Sequence, residues 1–252
     1  MALTQTEKDT KLFVEEKSYA LSLTSTLTGD SLDDKHFASF HPSRTLHIAA
    51  QGIAAFRLPL PSRELEIPIY DSADGTIAYV STRSSVCSGN AILSDPNRGD
   101  LVRTDYFFGP GRDPEISMTD GSKSQSLPIK ISSRWNSRAT SFNTPDGWTL
   151  EWSYTKRKDS NGQKENLIVL QLKDVKSKKH GKVLAQLVRG GETRTAGSSS
   201  WDAGNGGHLL IDEEAAKYVE EPLLVATCLL MLKKEIDRRR FMQFIMVGAI
   251  CT

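Results

Sequence analysis

Cysteine is scarce in this chain, and that scarcity excludes two kinds of protein. Only three cysteines occur among 252 residues, at Cys87, Cys228 and Cys251. An odd, widely spaced set does not make a disulfide framework, and without a C-x-x-C pair there is no zinc knuckle or redox site. We therefore expect free thiols in a reducing compartment and predict a cytoplasmic or nuclear protein.

Long apolar runs and an excess of one charge are missing as well. No apolar stretch reaches the roughly 20 residues that span a bilayer, and the nearest, residues 223–232, stops at Lys233 and Lys234. Residues 1–11 are polar and lack the apolar segment of a secretory signal. The formal net charge is +1, so only a local patch could attract a polyanion. We predict no transmembrane span.

Signatures of common enzymes are absent too. The chain has no G-x-S-x-G elbow, Walker A loop, H-E-x-x-H motif or dinucleotide fingerprint. Its five histidines show no metal-ligand spacing, so we predict neither a metal nor another cofactor. The hydrophobic fraction of 38% and the charged fraction of 25% are those of a folded globular chain.

Between residues 44 and 211 the pattern is that of strands and tight turns. Residues 148–155 alternate apolar and polar side chains with a period of two, which indicates a strand with one buried face. Three dipeptides supply hairpin turns: Asp74-Gly75, Asp146-Gly147 and Asn161-Gly162. The other segments that resemble strands are residues 65–69, 76–83, 90–94, 101–108, 129–133, 166–173 and 182–189. Because no helical crossover separates them, the sheet should be mainly antiparallel.

The chain changes character after Ile211. Asp212 is a predicted N-cap for a short helix over residues 213–220, and Pro222 suits the first turn of a second helix over residues 222–247. Because residues 223–232 are apolar on every side, that helix must be surrounded by protein or lipid. We predict a mainly β fold, an antiparallel barrel or strongly curved sheet with the apolar C-terminal helix packed in its interior. A sandwich with the helix over one open end is the alternative.

One domain over residues 44–252 accounts for this pattern, preceded by a weakly ordered segment over residues 1–43. A curved antiparallel sheet followed by one apolar helix resembles the tubby-like superfamily, which includes tubby C-terminal domains, phospholipid scramblases and LURP-one-related proteins. The resemblance covers residues 44 to about 250 and is one of architecture. It implies a barrel wrapped around a hydrophobic helix and carries no functional residue across.

A second resemblance is to uncharacterised proteins of filamentous fungi. It rests on residues 57–66 (RLPLPSRELE), 107–114 (FFGPGRDP) and 232–240 (LKKEIDRRR). Some small fungal proteins of this kind are arginine-containing cyclodipeptide synthases, which join two aminoacyl-tRNAs without ATP. The resemblance therefore implies tRNA as a partner and aminoacyl transfer as an activity.

Arginines recur beside acids or hydroxyls in the strand region. A barrel mouth lined by arginine and glutamate would bind a polar or anionic ligand, whereas a solvated outer face is the alternative. The candidate ligand-binding residues are Arg63, Arg83, Arg112, Arg138 and Arg194. Arg112 lies in a glycine-containing loop that permits close backbone approach to a phosphate or carboxylate, or that forms a plain rigid turn.

Two basic clusters are candidates for phosphate contacts. One lies in a loop near His180 and the other on the predicted helix, and either could meet an anionic lipid surface or tRNA. The candidate residues are Lys176, Lys178, Lys179, Lys233, Lys234, Arg238, Arg239 and Arg240. A solvated charged face is the alternative. The apolar residues 241–250 that follow could lie at a membrane interface or pack against protein.

Two functions from different classes follow from these patterns. The favoured one is an intracellular binding or scaffold protein, peripheral to a membrane, that recognises a phosphoinositide or another phosphate-bearing partner. The alternative is a tRNA-dependent cyclodipeptide synthase. In that case Ser88 or Cys87 would hold an aminoacyl group, and Glu192 would read a cationic side chain. A bend of small residues within the sheet is the alternative for Ser88 and Cys87.

Overall fold

Twelve antiparallel strands and one long helix make up the described part of the chain. The computed structural model describes residues 39–54, 64–86, 88–107, 112–119, 127–133, 138–158, 164–173 and 180–250. The strands are β1 (Pro42–Ile48), β2 (Glu66–Asp71), β3 (Ile77–Thr82), β4 (Ala91–Asp95), β5 (Gly99–Asp105), β6 (Glu115–Met118), β7 (Ile129–Lys130), β8 (Thr140–Asn143), β9 (Thr149–Lys158), β10 (Lys164–Lys173), β11 (His180–Val188) and β12 (Gly207–Asp212). Their order in the sheet is β7-β6-β5-β4-β3-β2-β1-β12-β11-β10-β9-β8.

The sheet closes on itself between β7 and β8. Ser132, just after β7, and Ser141, within β8, exchange two backbone hydrogen bonds with N···O distances of 2.8 and 2.9 Å. Closure removes the free edges at which sheets otherwise aggregate. The predicted mainly β fold is confirmed, and it is a closed barrel rather than a sandwich.

The helix α1 (Glu221–Ile250) fills the barrel interior. Every residue from 223 to 232 is at most 8% exposed, and each fully buried aliphatic side chain contributes roughly 1.5–3 kcal/mol to stability. The one hydroxyl in this run is satisfied: Trp152 Nε1 donates to Thr227 Oγ1 at 3.0 Å, and Thr227 donates to the Leu224 carbonyl at 2.9 Å. The predicted position of the apolar helix inside the sheet is therefore confirmed.

The two ends of the helix differ in their side chains, and the candidate site lies at the charged end. At the entry end, Tyr79 donates its hydroxyl hydrogen to Glu221 Oε1 at 2.8 Å. Just before the helix, Asp212 Oδ1 accepts the Glu214 N–H at 3.0 Å. A short 3-10 turn then covers Ala215–Lys217. It lies within residues 213–220, where the sequence predicts a helix. At the other end, which we call the exit end, charged residues replace apolar ones from Lys233 onward.

Two of the predicted glycine turns lie at strand junctions. Gly75, between β2 and β3, and Gly147, between β8 and β9, have φ angles of 73° and 85°, which glycine adopts without steric cost. The third, Asn161-Gly162, lies outside the described residues, as do residues 1–38 of the predicted N-terminal segment.

Two histidines face each other on the outer side of the barrel. His47 of β1 and His208 of β12 are register neighbours, and their ring centroids lie 5.1 Å apart in an edge-to-face arrangement. Burial, and then the neighbouring His47, lowers the pKa of His208 to about 4, and burial also lowers the pKa of His47. Both rings are therefore neutral in the folded protein at pH 7.

We expect acidification to cost this protein stability through His208. Its pKa falls on folding from 6.5 to about 4. As the pH drops through that window, the unfolded chain binds a proton that the folded chain does not, and the free energy of unfolding decreases. The loss from pH 7 to pH 5 should be at most roughly 2 kcal/mol.

Chemical denaturation of the wild type and a His208→Gln variant at both pH values measures this effect. Carboxylate titration contributes equally to both proteins, so the variant should lose less stability than the wild type. An equal loss would show that His208 does not titrate differently in the two states.

Candidate phosphate-binding pocket

A polar pocket of about 390 Å³ lies at the exit end, between α1 and the barrel wall. We call it the α1 pocket. Its polar and charged lining consists of Arg138, Tyr154, Thr155, Lys156, Asn166, Arg189, Ser200, Asp202, Asn205, Glu235, Arg238 and Arg239. Strands β9 and β10, the end of β11, the loop before β12 and the helix all contribute, so the pocket depends on the helix being seated in the barrel.

The loop between β11 and β12 forms one wall of the pocket because it is anchored along its length. Thr195 Oγ1 donates to the Ile48 carbonyl at 3.1 Å. Ile53 and Ala203 exchange two backbone hydrogen bonds of 2.9 Å. The following glycine, Gly204, has a φ of 75° and lies directly against α1. Together these contacts hold the loop, which has little regular secondary structure, in a fixed position against the helix.

A buried ion pair forms the floor of the pocket. Arg189 donates from Nη1 and Nη2 to the two carboxylate oxygens of Glu235, at 2.7 and 2.9 Å. Burial alone would raise the pKa of Glu235, but the Arg189 charge and hydrogen bonds from Arg189 and the Gly204 N–H outweigh burial and lower it. Arg189 neutralises Glu235, so this carboxylate does not repel an incoming anion.

Arg238 is held rigidly beside that pair. Its Nη2 donates to the Tyr154 hydroxyl at 3.2 Å, its Nε donates to the Lys234 carbonyl at 3.3 Å, and its guanidinium carbon lies 5.5 Å from the centroid of the Tyr154 ring. Its Nη1 is buried and has no hydrogen-bond partner within the described part of the chain. A buried donor without an acceptor costs about 1–3 kcal/mol.

A second group of charged side chains, the inner cluster, occupies the opposite side of α1. Lys233 Nζ donates to Asp237 Oδ1 at 2.5 Å and lies 4.7 Å from the centroid of the Tyr106 ring. The Tyr106 hydroxyl donates to Asp237 Oδ2 at 2.6 Å. Burial lowers the pKa of Arg83, an effect that the charges of Glu64 and Asp237 oppose and that of Arg240 reinforces. These contacts fix the helix to the barrel wall from the inside.

The predicted ligand-binding arginines lie in different settings. Arg138 lines the α1 pocket, and Arg83 belongs to the inner cluster. Arg194 is half-buried in the loop between β11 and β12, and Arg112 is exposed just before β6. Arg63 lies outside the described residues.

The predicted phosphate contacts on the helix are divided between its two sides. Arg238 and Arg239 line the α1 pocket, whereas Lys233 and Arg240 belong to the inner cluster, with Lys233 only 8% exposed. Lys234 donates to Ser133 Oγ at 3.1 Å, and burial lowers its pKa to about 8. The other predicted contacts lie outside the described residues: Lys176, Lys178 and Lys179.

Two of the predicted catalytic residues, Ser88 and Glu192, are described, and they lie on different loops. Ser88 Oγ accepts the Asn90 N–H at 3.1 Å, as in a turn between strands. Glu192 is exposed in the loop between β11 and β12, and Cys87 lies outside the described residues. Their proposed roles in aminoacyl transfer stay predictions.

Sequence reasoning missed Tyr154, Lys156 and Glu235 as members of one site. One signal was present in β9, where residues 150, 152, 154 and 156 share a face and change from leucine and tryptophan to tyrosine and lysine. The switch from apolar to polar marks the end of the barrel. The pairing of Arg189 with Glu235 joins residues 46 positions apart and left no local pattern.

Comparison with known proteins adds no identification. No family model matches the chain, and neither does a curated protein or a solved structure. In the described ranges, no helix has both the length and the hydropathy needed to cross a membrane. Over the same part of the chain, no group of three histidine, cysteine or acidic side chains is placed to hold a metal ion.

Proposed function

We propose that this protein is a binding module that recognises a phosphate-bearing anion in the α1 pocket. The observation that carries the proposal is an excess of positive charge on one polar surface. Five cationic and two acidic side chains line the pocket, and Arg189 already neutralises one of the acids. Among the described residues, Arg138, Lys156 and Arg239 form no ion pair with a carboxylate.

The shape and chemistry of the pocket support a small organic phosphate. Its volume of about 390 Å³ falls in the range of small-ligand sites, about 300–1,000 Å³. Arginine donates in a planar fork that matches phosphate oxygens. The Asn166 and Asn205 amides and the Ser200 hydroxyl supply neutral polar groups that could bind ligand hydroxyls. A phosphoinositide headgroup, which carries phosphates and ring hydroxyls, has this chemistry.

The architecture supports the same class of function. A closed antiparallel barrel around one apolar helix is the arrangement that the resemblance to the tubby-like superfamily implies, and we propose kinship with that superfamily on this ground. The resemblance supplies no residue of the α1 pocket, which is described from this chain alone.

Neutralising the pocket should weaken anion binding. We expect an Arg138→Gln, Lys156→Gln double variant to lose about tenfold or more in affinity for soluble inositol trisphosphate, because each removes a charge-assisted contact. Isothermal titration calorimetry at low and high salt measures the affinity and its electrostatic part. Both side chains are exposed, so the fold should be unaffected.

The matched control is Arg103→Gln, which removes an exposed arginine from β5, outside the α1 pocket. Its affinity should equal that of the wild type. If the double variant binds as tightly as this control, or if the wild type binds no inositol trisphosphate, the proposed function is wrong.

A further inference from the structure

We propose that the exit end of α1 inserts into an anionic membrane, with the basic rim of the α1 pocket against the lipid phosphates. The inference rests on the proposed function, because the membrane surface would present the phosphate that the α1 pocket binds. Just beyond the inner cluster, two apolar residues of α1 are exposed: Met242 by 51% and Phe244 by 58%. Positions two apart lie on nearly opposite sides of a helix, so α1 is open to its surroundings on both sides here.

The helix continues beyond these residues with an apolar sequence. Its backbone extends to Ile250, and residues 245–250 read Ile-Met-Val-Gly-Ala-Ile. The ten residues 241–250 span roughly 15 Å at 1.5 Å per residue, about half of the roughly 30 Å thickness of the hydrocarbon core. This segment can therefore enter one leaflet without crossing the bilayer.

A tryptophan lies next to the base of this segment. Trp201 is 74% exposed, and its carbonyl accepts a hydrogen bond from Arg239 Nη2 at 3.0 Å. The loop that carries Trp201 is thus tied to the helix just where the apolar sequence begins. Tryptophan prefers the boundary between acyl chains and headgroups, which is the depth expected at the base of an inserted helix.

Positive charge surrounds the same base. Arg138, Lys156 and Arg239 line a pocket that Met242 also lines, so basic and apolar side chains share one rim. Stable peripheral binding needs two signals, and an apolar insertion beside basic residues supplies both. A nucleic acid would satisfy the cations but offers no apolar phase to Met242 and Phe244, which is why we favour a membrane over tRNA.

Vesicle flotation tests the inference. The probes are vesicles of phosphatidylcholine alone and of phosphatidylcholine with phosphatidylinositol bisphosphate, and soluble inositol trisphosphate serves as a second ligand. We expect the full chain to float with the anionic vesicles only. A Trp201→Ser, Phe244→Ser variant should lose about tenfold or more in vesicle affinity, since it removes two apolar anchors, and should bind inositol trisphosphate as the wild type does. Ile77→Ser, which replaces a 45% exposed residue at the start of β3, should float normally.

The outcomes separate this inference from the proposed function. If the wild type binds inositol trisphosphate but does not float, or if the Trp201→Ser, Phe244→Ser variant floats normally, insertion is wrong and pocket binding stands. If inositol trisphosphate fails to bind while flotation still depends on Trp201 and Phe244, insertion stands and the pocket assignment is wrong. A soluble dimer that this variant dissociates, or tRNA binding that it abolishes, would overturn insertion and assign the surface to that partner.

Discussion

Replacing Glu235 with glutamine is expected to lower the free energy of unfolding by roughly 3–5 kcal/mol. The side chains of Arg189 and Glu235 are only 8% and 14% exposed. Glutamine keeps the shape of the side chain and can still accept the Gly204 N–H, but it leaves the Arg189 guanidinium buried without a counter-charge. Equilibrium denaturation by guanidinium chloride, followed by far-UV circular dichroism, gives the free energy.

An exposed ion pair of the same barrel is the matched control. Lys173 and Glu151 lie 2.6 Å apart with side-chain exposures of 48% and 24%, so Glu151→Gln should cost below about 1 kcal/mol. A double variant, Arg189→Met with Glu235→Leu, should be more stable than Glu235→Gln because it buries no unpaired charge. Equal losses for Glu235→Gln and Glu151→Gln would contradict the assigned burial of the pair.

Replacing Gly204 with alanine should cost roughly 2–4 kcal/mol, the sum of a strained backbone and an overpacked contact. Gly204 has a φ of 75°. A Cβ there would lie 2.4 Å from Ile236 Cγ1 and 2.8 Å from the Leu232 carbonyl oxygen, and that carbonyl belongs to the helix backbone and cannot move aside alone. Because this loop forms a wall of the α1 pocket, affinity for inositol trisphosphate should fall as well.

Gly75→Ala isolates the backbone part of that cost. Gly75 has a similar φ of 73°, but among the described residues no atom lies within 4 Å of the position that an alanine Cβ would take. Its replacement should therefore cost only about 1 kcal/mol. Thermal unfolding of the two variants compares them directly. If both lose the same stability, the close approach of the loop to α1 is not what requires glycine at position 204.

Much of the fold could be predicted because its signals are local. The alternation over residues 148–155 and the Asp-Gly turns follow from side-chain period and backbone conformation, and the run at 223–232 is apolar on every side, so it must be surrounded by protein or lipid. Four strands were absent from the predicted segments: β1, β6, β8 and β12. Strands β6 and β8 have four residues each, and β12 is buried on both faces over Leu209 to Asp212, so it shows no alternation.

The candidate site was predicted in part. Arg238 and Arg239 were identified from clustering of charge and Arg138 from the arginines of the strand region, and all three line one pocket. What a sequence does not show is which cations a helix turns inward: Lys233 and Lys234 are neighbours in sequence, yet Lys233 pairs with Asp237 and Lys234 contacts Ser133 on the wall. The cyclodipeptide synthase alternative stays a prediction, since it depends on Ser88, Cys87 and Glu192 acting on a substrate.

The position of α1 in the chain also dictates the order in which the protein can mature. The helix that fills the barrel follows all twelve described strands, and a growing chain emerges from the ribosome N-terminal end first. Until residues 223–232 emerge, the inward faces of the strands have no helix to pack against and present apolar surface that favours aggregation. Complete packing of the barrel interior is therefore postponed until residues 223–232 have been synthesised, after all twelve described strands.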